Sequence, residues 1–473
     1  MNPPVEESSP RGNLTATTRE LEVVLRDAAE RSLRYLRNLE HRRMFPTADD
    51  IRRLDLLGGP LPGSGTDPID VLRQLDEVGS PGTVGSAAGR YFGFVVGSAL
   101  PVTLGANWVA GAWNQNAGLF TISPVGARVE QIALEWIRQL LELPLGSEGA
   151  FVTGATMANF TGLAAARHAV LQKVGWDVEE LGLAGAPPIT VVVGEEVHTS
   201  VLKAVAMLGL GRGRVVRVPA DSQGRIRPDA LPRIVGPTIV CLQAGNVNTG
   251  AFDPVGEIAR GAKEAGAWVH VDAAFGMWAA VAPTRHYLYE GIALADSWAT
   301  DGHKWLNVPY DSGLVFVRSA DDLRAAMSVG SAAYLVQSDQ REPSHYTPEI
   351  SRRARGIEAW AAIRSLGREG LADLVERTCQ FATQVADRLR AAGHEVLNDV
   401  VLNQVLVSFG DEATTARVIS GIQAEGTCWC GGTRWHGRFA MRVSVSSWAT
   451  TAEDVERSIT AILRVAEESR RSD

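Results

Sequence analysis

Short runs of Val and Ile recur through the middle of the chain: Ile189–Val193, Val215–Val218, Ile239–Leu242, Trp268–Val271 and Leu314–Val317. Most of their positions are apolar, with single exceptions at Thr190, Arg217 and His270, the pattern of a strand buried on both faces. Segments long enough for helices separate them. From about Pro101 onward this rhythm predicts an α/β domain with a mostly parallel sheet covered on both sides. Near the N-terminus the period changes: Leu21, Val24, Leu25 and Ala28 recur at helical spacing, so one apolar stripe runs along a helix opened by a Thr17–Glu20 capping box. Beyond about Gly370, an apolar-rich helix, the strand Val405–Phe409 and a closing helix from Thr451 predict a small α+β domain.

These changes of pattern divide the chain into an N-terminal helical segment with linkers (1–100), a large α/β domain (101–369) and a C-terminal domain (370–473). Turn-rich linkers span Leu57–Gly65 and Gly79–Gly89. Ser328–Ser351 breaks the rhythm with Gly, Ser, Gln, Asp and Pro, and a loop of that length inside a domain is usually functional or mobile. The hydrophobic content of 45% is ample for a core across 473 residues. A net charge of −8 argues against nucleic acid or an anionic membrane as partner. Four cysteines do not make a disulfide framework, and Cys428-Trp429-Cys430 with His436 matches no metal-ligand spacing, so reduced structural thiols are expected and no metal. Met1 to about Ala16 carries no apolar run, so the expected location is the cytoplasm.

The candidate chemistry begins at Asp296–Trp305, an apolar strand closing on His303-Lys304. Burial at a strand end disfavours the charged form of a lysine and makes the amine a nucleophile toward aldehydes such as pyridoxal phosphate. An isolated His-Lys pair is usually just a solvated turn, so upstream partners matter. Ala267–Ala274 is an apolar strand ending on Asp272, a carboxylate able to pair with a protonated pyridine nitrogen or simply to cap a loop. Asp272 and Lys304 stand 32 residues apart, room for a strand–helix–strand step that brings both to one sheet edge. His198 follows the strand Thr190–Val193, and its flat ring suits stacking. Phe151–Asn159 reads as strand, small-residue turn and helix, a natural phosphate cradle.

With these pieces in order, the chain resembles the group II pyridoxal-phosphate-dependent amino acid decarboxylases, which include aromatic L-amino acid, histidine and glutamate decarboxylases. The resemblance runs from Tyr91-Phe92-Gly93-Phe94 to Met441–Ser446. Its most specific pieces are Val269–Ala274, the Asp296-Ser297…His303-Lys304-Trp305 stretch, and Ser123-Pro124 followed by Glu130 and Trp136. It implies the fold type I (PLP-dependent transferase-like) architecture. It implies that Lys304 carries the cofactor, Asp272 holds its ring nitrogen and His198 stacks on it. Ala155 and Thr156 fall at the phosphate, and Ala274 packs on the ring. Where the family commonly has asparagine, this chain has Asp301, whose charge would repel phosphate unless paired, so His303 is the better phosphate ligand. Tyr346 is the nearest candidate for a loop tyrosine that protonates the substrate carbon, a role otherwise open to His198.

The implied reaction is α-decarboxylation of an L-amino acid to an amine and carbon dioxide. By position, Phe94 and Gly97 line the substrate pocket, with Gly97 leaving room for an aromatic side chain. The stretch Trp113–Phe120, including Asn116 and Phe120, falls where a neighbouring subunit supplies a wall, so a homodimer with shared sites is expected. Arg442 can hold a carboxylate bidentately. Phe94 and Phe120 favour an aromatic substrate, while Asn114, Asn116 and Arg442 leave an acidic one open. Aldehyde-forming deamination or aldol-type cleavage is the alternative on the same scaffold, and a protein that kept only the fold would need neither Lys304 nor Asp272.

Overall fold

The expected apolar runs become strands of one seven-stranded sheet in a computed structural model that describes residues 18–328 and 340–471. The strands are β1 (Glu148–Val152), β2 (Thr190–Gly194), β3 (Val216–Val218), β4 (Thr238–Gln243), β5 (Trp268–Asp272), β6 (Ser297–Asp301) and β7 (Gly313–Val317). Their order is β1-β7-β6-β5-β4-β2-β3. Strands β2 to β6 pair in parallel, whereas β7 runs antiparallel to both β6 and β1. The C-terminal ends of β1, β2, β4, β5 and β6 therefore share one edge, where α/β sheets bind their ligands. Apolar cores cover both faces, one built on Val240, Val269, Val271 and Trp298, the other on Val191, Val193, Ile239 and Val315. This is the α/β architecture expected from the pattern of runs.

The step from β5 to β6 departs from expectation. It contains no α-helix but three short 3-10 turns, Gly276–Val281, His286–Tyr289 and Ile292–Leu294. All six residues of the first turn are buried, so no polar face exists for an amphipathic helix to show to water. The Trp278 indole N–H instead donates to the carbonyl of Asp301 at 3.2 Å, tying this connection to the end of β6.

A second, antiparallel sheet of order β10-β11-β9-β8 comprises β8 (Glu395–Val396), β9 (Gln404–Ser408), β10 (Gly431–Trp435) and β11 (Arg438–Ser444). Val405, Val407, Met441 and Val443 pack with Ile459 and Ile462 of the closing helix Ala452–Arg471. That helix opens with a capping box: Thr451 Oγ1 accepts from the Asp454 N–H, and the Asp454 carboxylate accepts from the Thr451 N–H, both at 3.1 Å. The long helix Gly356–Ala391 is interrupted at Gly367, whose φ of 62° only glycine adopts freely.

By its internal contacts the chain divides into two units, the boundary lying between Ala88 and Gly89. The first unit is led by the helix Thr18–Asn38, in which no residue is buried; Leu21 and Leu25 are 54% and 56% exposed. Thr17, half of the expected capping box, lies outside the described residues, as do positions 329–339 of the Ser328–Ser351 stretch. No described helix is long and apolar enough to cross a membrane.

Candidate active site

Strand β6 ends on Asp301, and the turn that follows carries His303 and Lys304. The Lys304 ammonium lies 2.9 Å from Asp301 Oδ2, and that carboxylate is almost wholly buried. Asp301 Oδ1 is 3.5 Å from His303 Nε2 but lacks hydrogen-bond geometry, so this buried oxygen has no hydrogen-bond partner among the described residues. His303 Nδ1 accepts from the Ser312 N–H at 3.0 Å, and its ring stacks on Tyr310 at 4.3 Å. Burial lowers the His303 pKa, opposed in part by the Asp301 charge, so the ring is neutral.

Asp272 closes the neighbouring strand β5. Its Oδ1 accepts from the Ala274 N–H at 3.2 Å, and its Oδ2 accepts from Asn159 Nδ2 at 3.1 Å and faces Ser200 Oγ at 3.4 Å. His198, just past the end of β2, caps the helix Thr199–Met207 by accepting from the Ser200 N–H through Nδ1. That contact leaves Nε2 as the protonated nitrogen of the neutral ring, and burial lowers the His198 pKa against the raising effect of Asp272.

The third component is the turn from β1 into the helix Ala155–Gln172. Gly154 occupies the N-cap and offers no side chain, so the first N–H groups of the helix are left for another acceptor. Gly313 on β7 holds this turn close: a Cβ there would come within 2.4 Å of Gly154 Cα. Thr153, Gly154, Ala155, Thr156, His198, Ser200, Gln243, Asp272, Ala274, Asp301, His303 and Lys304 all line one cavity of about 330 Å³. The seven residues expected to hold a cofactor are thus brought together, and Asp301 joins them as the carboxylate partner of Lys304.

The expected substrate set is less unified, and none of it lines this cavity. Gly97 lies beside the site for a different reason: a Cβ would come 1.8 Å from the Lys304 carbonyl oxygen, so its bareness admits the backbone of Lys304 rather than a substrate ring. Its N–H donates to the His303 carbonyl at 3.2 Å. Phe94 is 63% exposed, carries a φ of 55° and stacks on Trp429, which also stacks on Tyr91. The Asn116 carboxamide oxygen is taken by the N–H groups of Gly118 and Arg352, both at 3.0 Å, which makes it an organiser of its own loop. Phe120 is half-buried, its N–H donating to Glu342. Arg442 donates from Nη1 to the carbonyl of Val247, a cavity-lining residue, at 3.1 Å, and burial lowers its pKa.

Tyr346 is a correction. The 3-10 turn Pro343–His345 folds it into the core beside Leu163, Val201 and Leu323, under the Arg341 guanidinium at 4.1 Å, and it does not line the cavity. Conversely, Asn159, Ser200, Gln243 and Tyr310 were not expected at the site. Asn159 had a usable signal, since it stands one turn into the helix that follows the cradle.

The family model described as the pyridoxal-dependent decarboxylase conserved domain matches residues 84–410. The chain belongs to the pyridoxal-dependent decarboxylase family. Within this family it is 24% identical to an aromatic-L-amino-acid decarboxylase of Bacillus atrophaeus, over 96% of this chain and 97% of that one. An acidic amino acid decarboxylase of Mus musculus is 29% identical over 61% of this chain and 54% of its own length. Among solved structures, Oryza sativa TDC with PLP and tryptamine superposes with a TM-score of 0.87 at 22% identity, covering 96% of this chain and 98% of that one. This chain is therefore a pyridoxal-phosphate-dependent amino acid decarboxylase. Its cavity fits the cofactor's chemistry: an amine for the aldehyde, a carboxylate for the ring nitrogen, and an uncapped helix N-terminus for the phosphate.

Proposed function

We propose that this decarboxylase removes the α-carboxylate of an aromatic L-amino acid, with Lys304 anchoring the cofactor. The observation that carries the reading is the convergence of Lys304, Asp272 and His198, from the ends of three strands, on one cavity. Bound pyridoxal phosphate supplies the electron sink that takes up the pair left when the Cα–carboxylate bond breaks. Asp272 holds a proton at the ring nitrogen, and Ala274 packs beside it. Ala155, Thr156 and His303 hold the phosphate. His198 lays its ring on the cofactor and, once protonated, is the cavity group able to return a proton to Cα. Arg442, which donates to the carbonyl of the cavity-lining Val247, is the group assigned to the substrate carboxylate.

An aromatic substrate is supported by the ledge of Tyr91, Trp429 and Phe94, with ring centroids 5.1 and 5.4 Å apart. The ledge adjoins the segment that crosses the Lys304 backbone at Gly97. We also propose a homodimer in which a partner copy supplies Asn116 and Phe120 to the pocket wall. The helix Pro101–Trp113 supports this, since it buries only Thr103 and leaves Trp108 and Trp113 exposed. The test is a decarboxylation screen of the common L-amino acids by kcat/KM. Tryptophan, tyrosine or phenylalanine should lead, with a primary amine and carbon dioxide as products. Preference for glutamate or aspartate would overturn the substrate, and aldehyde with ammonia would overturn the reaction.

A further inference from the structure

Strand β5 places Trp268, His270 and Asp272 on one face, because side chains alternate along a strand. Val269 and Val271 point the other way, into the opposite core. The face that carries Asp272 is unusually polar for a central strand, and its groups are joined in series. Trp268 Nε1 contacts Ser297 Oγ at 2.9 Å, Ser297 Oγ contacts His270 Nδ1 at 2.8 Å, and His270 Nε2 contacts Asn159 Oδ1 at 2.8 Å. Asn159 Nδ2 then reaches Asp272 Oδ2 at 3.1 Å and Ser200 Oγ at 3.1 Å. His270, Asn159 and Ser297 are fully buried.

The direction of this chain follows from its first member. An indole N–H can only donate, so Ser297 Oγ accepts from Trp268 and gives its own hydrogen to His270 Nδ1. His270 must then carry its proton on Nε2, which obliges Asn159 to present its oxygen to His270. The amide NH₂ of Asn159 therefore faces Asp272. Burial holds His270 neutral, its pKa lowered to about 3, so the tautomer persists across the working range. The helix opposite is cut to fit: a Cβ on Gly162 would lie 3.0 Å from His270 Cε1 and 3.1 Å from Nδ1. A glycine inside a helix is less stable than alanine, and here the bare position admits the imidazole.

We propose that Ser297, His270 and Asn159 are positioning residues that, with their polarity set by the Trp268 indole, hold a donor on Oδ2 of Asp272 and so fix that carboxylate as an acceptor toward the cofactor's ring nitrogen. The proposal rests on Asp272 facing that nitrogen. Were the Asn159 amide free to turn over, its carbonyl would oppose the carboxylate, and Asp272 would lose the donor at Oδ2. The other titratable groups facing Asp272 are His198 and the buried Cys241 thiol; neither supplies a fixed donor to Oδ2.

The test uses the holoenzyme and the variants His270→Phe, His270→Gln, Ser297→Ala and Asp272→Ala. It reads the rate of cofactor release and the pH at which the visible band of bound cofactor changes, with apo-protein melting as the folding control. His270→Phe should release cofactor about tenfold faster, the scale of one hydrogen bond to a charged group, and shift the spectral transition. His270→Gln, which can still donate to Asn159 and accept from Ser297, should stay close to wild type. Ser297→Ala should move both readouts in the same direction by less, and it decides the matter if His270→Phe fails to fold. Fast release from Asp272→Ala, with His270→Phe and Ser297→Ala unchanged, overturns the relay alone. Unchanged release from Asp272→Ala overturns the role of Asp272 itself, and the relay with it.

Discussion

Lys304 Nζ lies 2.9 Å from the Asp301 carboxylate, so the nucleophile and its counter-ion leave the same strand end three residues apart. An ammonium held by a buried carboxylate must give up its proton before it attacks an aldehyde, and the negative charge opposes an arriving phosphate. Asp301→Asn keeps the shape and removes both obstacles. The apo-protein of this variant should bind pyridoxal phosphate at least about tenfold faster, a difference of ~1.4 kcal/mol in barrier. Stopped-flow growth of the visible band measures it, and an unchanged rate would contradict the pairing.

Three histidines, the half-buried His198 and the buried His270 and His303, all have pKa values lowered by burial, that of His270 to about 3. In the unfolded chain they titrate near the ordinary value of about 6.5. Between the two values the unfolded chain binds more protons, so stability falls as pH falls. Melting temperature should therefore decline from about pH 6.5 downward and keep declining toward pH 3, and His270→Gln should flatten part of that slope. A slope unaltered by the substitution would contradict a neutral, buried His270.

The main site residues were legible because each occupies a strand end, where an apolar run stops on a polar group. Lys304, Asp272 and His198 all carry that signature. What was illegible depends on packing across elements. Gly97 reads as open space, yet its missing Cβ serves the Lys304 backbone. Tyr346 reads as a candidate loop tyrosine, yet it is folded under Arg341 into the core. The β5–β6 connection reads as a helix by length, but its first turn is buried all round. Asn159 is hidden in a run of small helix residues, and its role depends on Asp272, 113 residues away.

Substrate choice should divide along two side chains. If aromatic acids are preferred, Phe94→Ala should lower their kcat/KM by about tenfold, consistent with one lost ring contact of ~1–1.5 kcal/mol. Arg442→Ala should lower turnover of every substrate, because an α-carboxylate is common to all. A loss confined to glutamate and aspartate in Arg442→Ala would instead assign that arginine to an acidic side chain.

The exposed apolar surface of the helix Pro101–Trp113, with Val102, Trp108, Val109 and Trp113 each more than 40% exposed, should be covered in solution. Sedimentation should show a dimer. Trp108→Glu should weaken it and reduce activity in parallel, and a fully active monomer would contradict the shared site.

Lys304 is the residue expected to hold the cofactor covalently. Borohydride reduction of the yellow holoenzyme, followed by peptide mapping, tests it directly. One labelled peptide is expected, with the label on Lys304, and no label in Lys304→Ala. A label on any other lysine, or an undiminished label in Lys304→Ala, would contradict it.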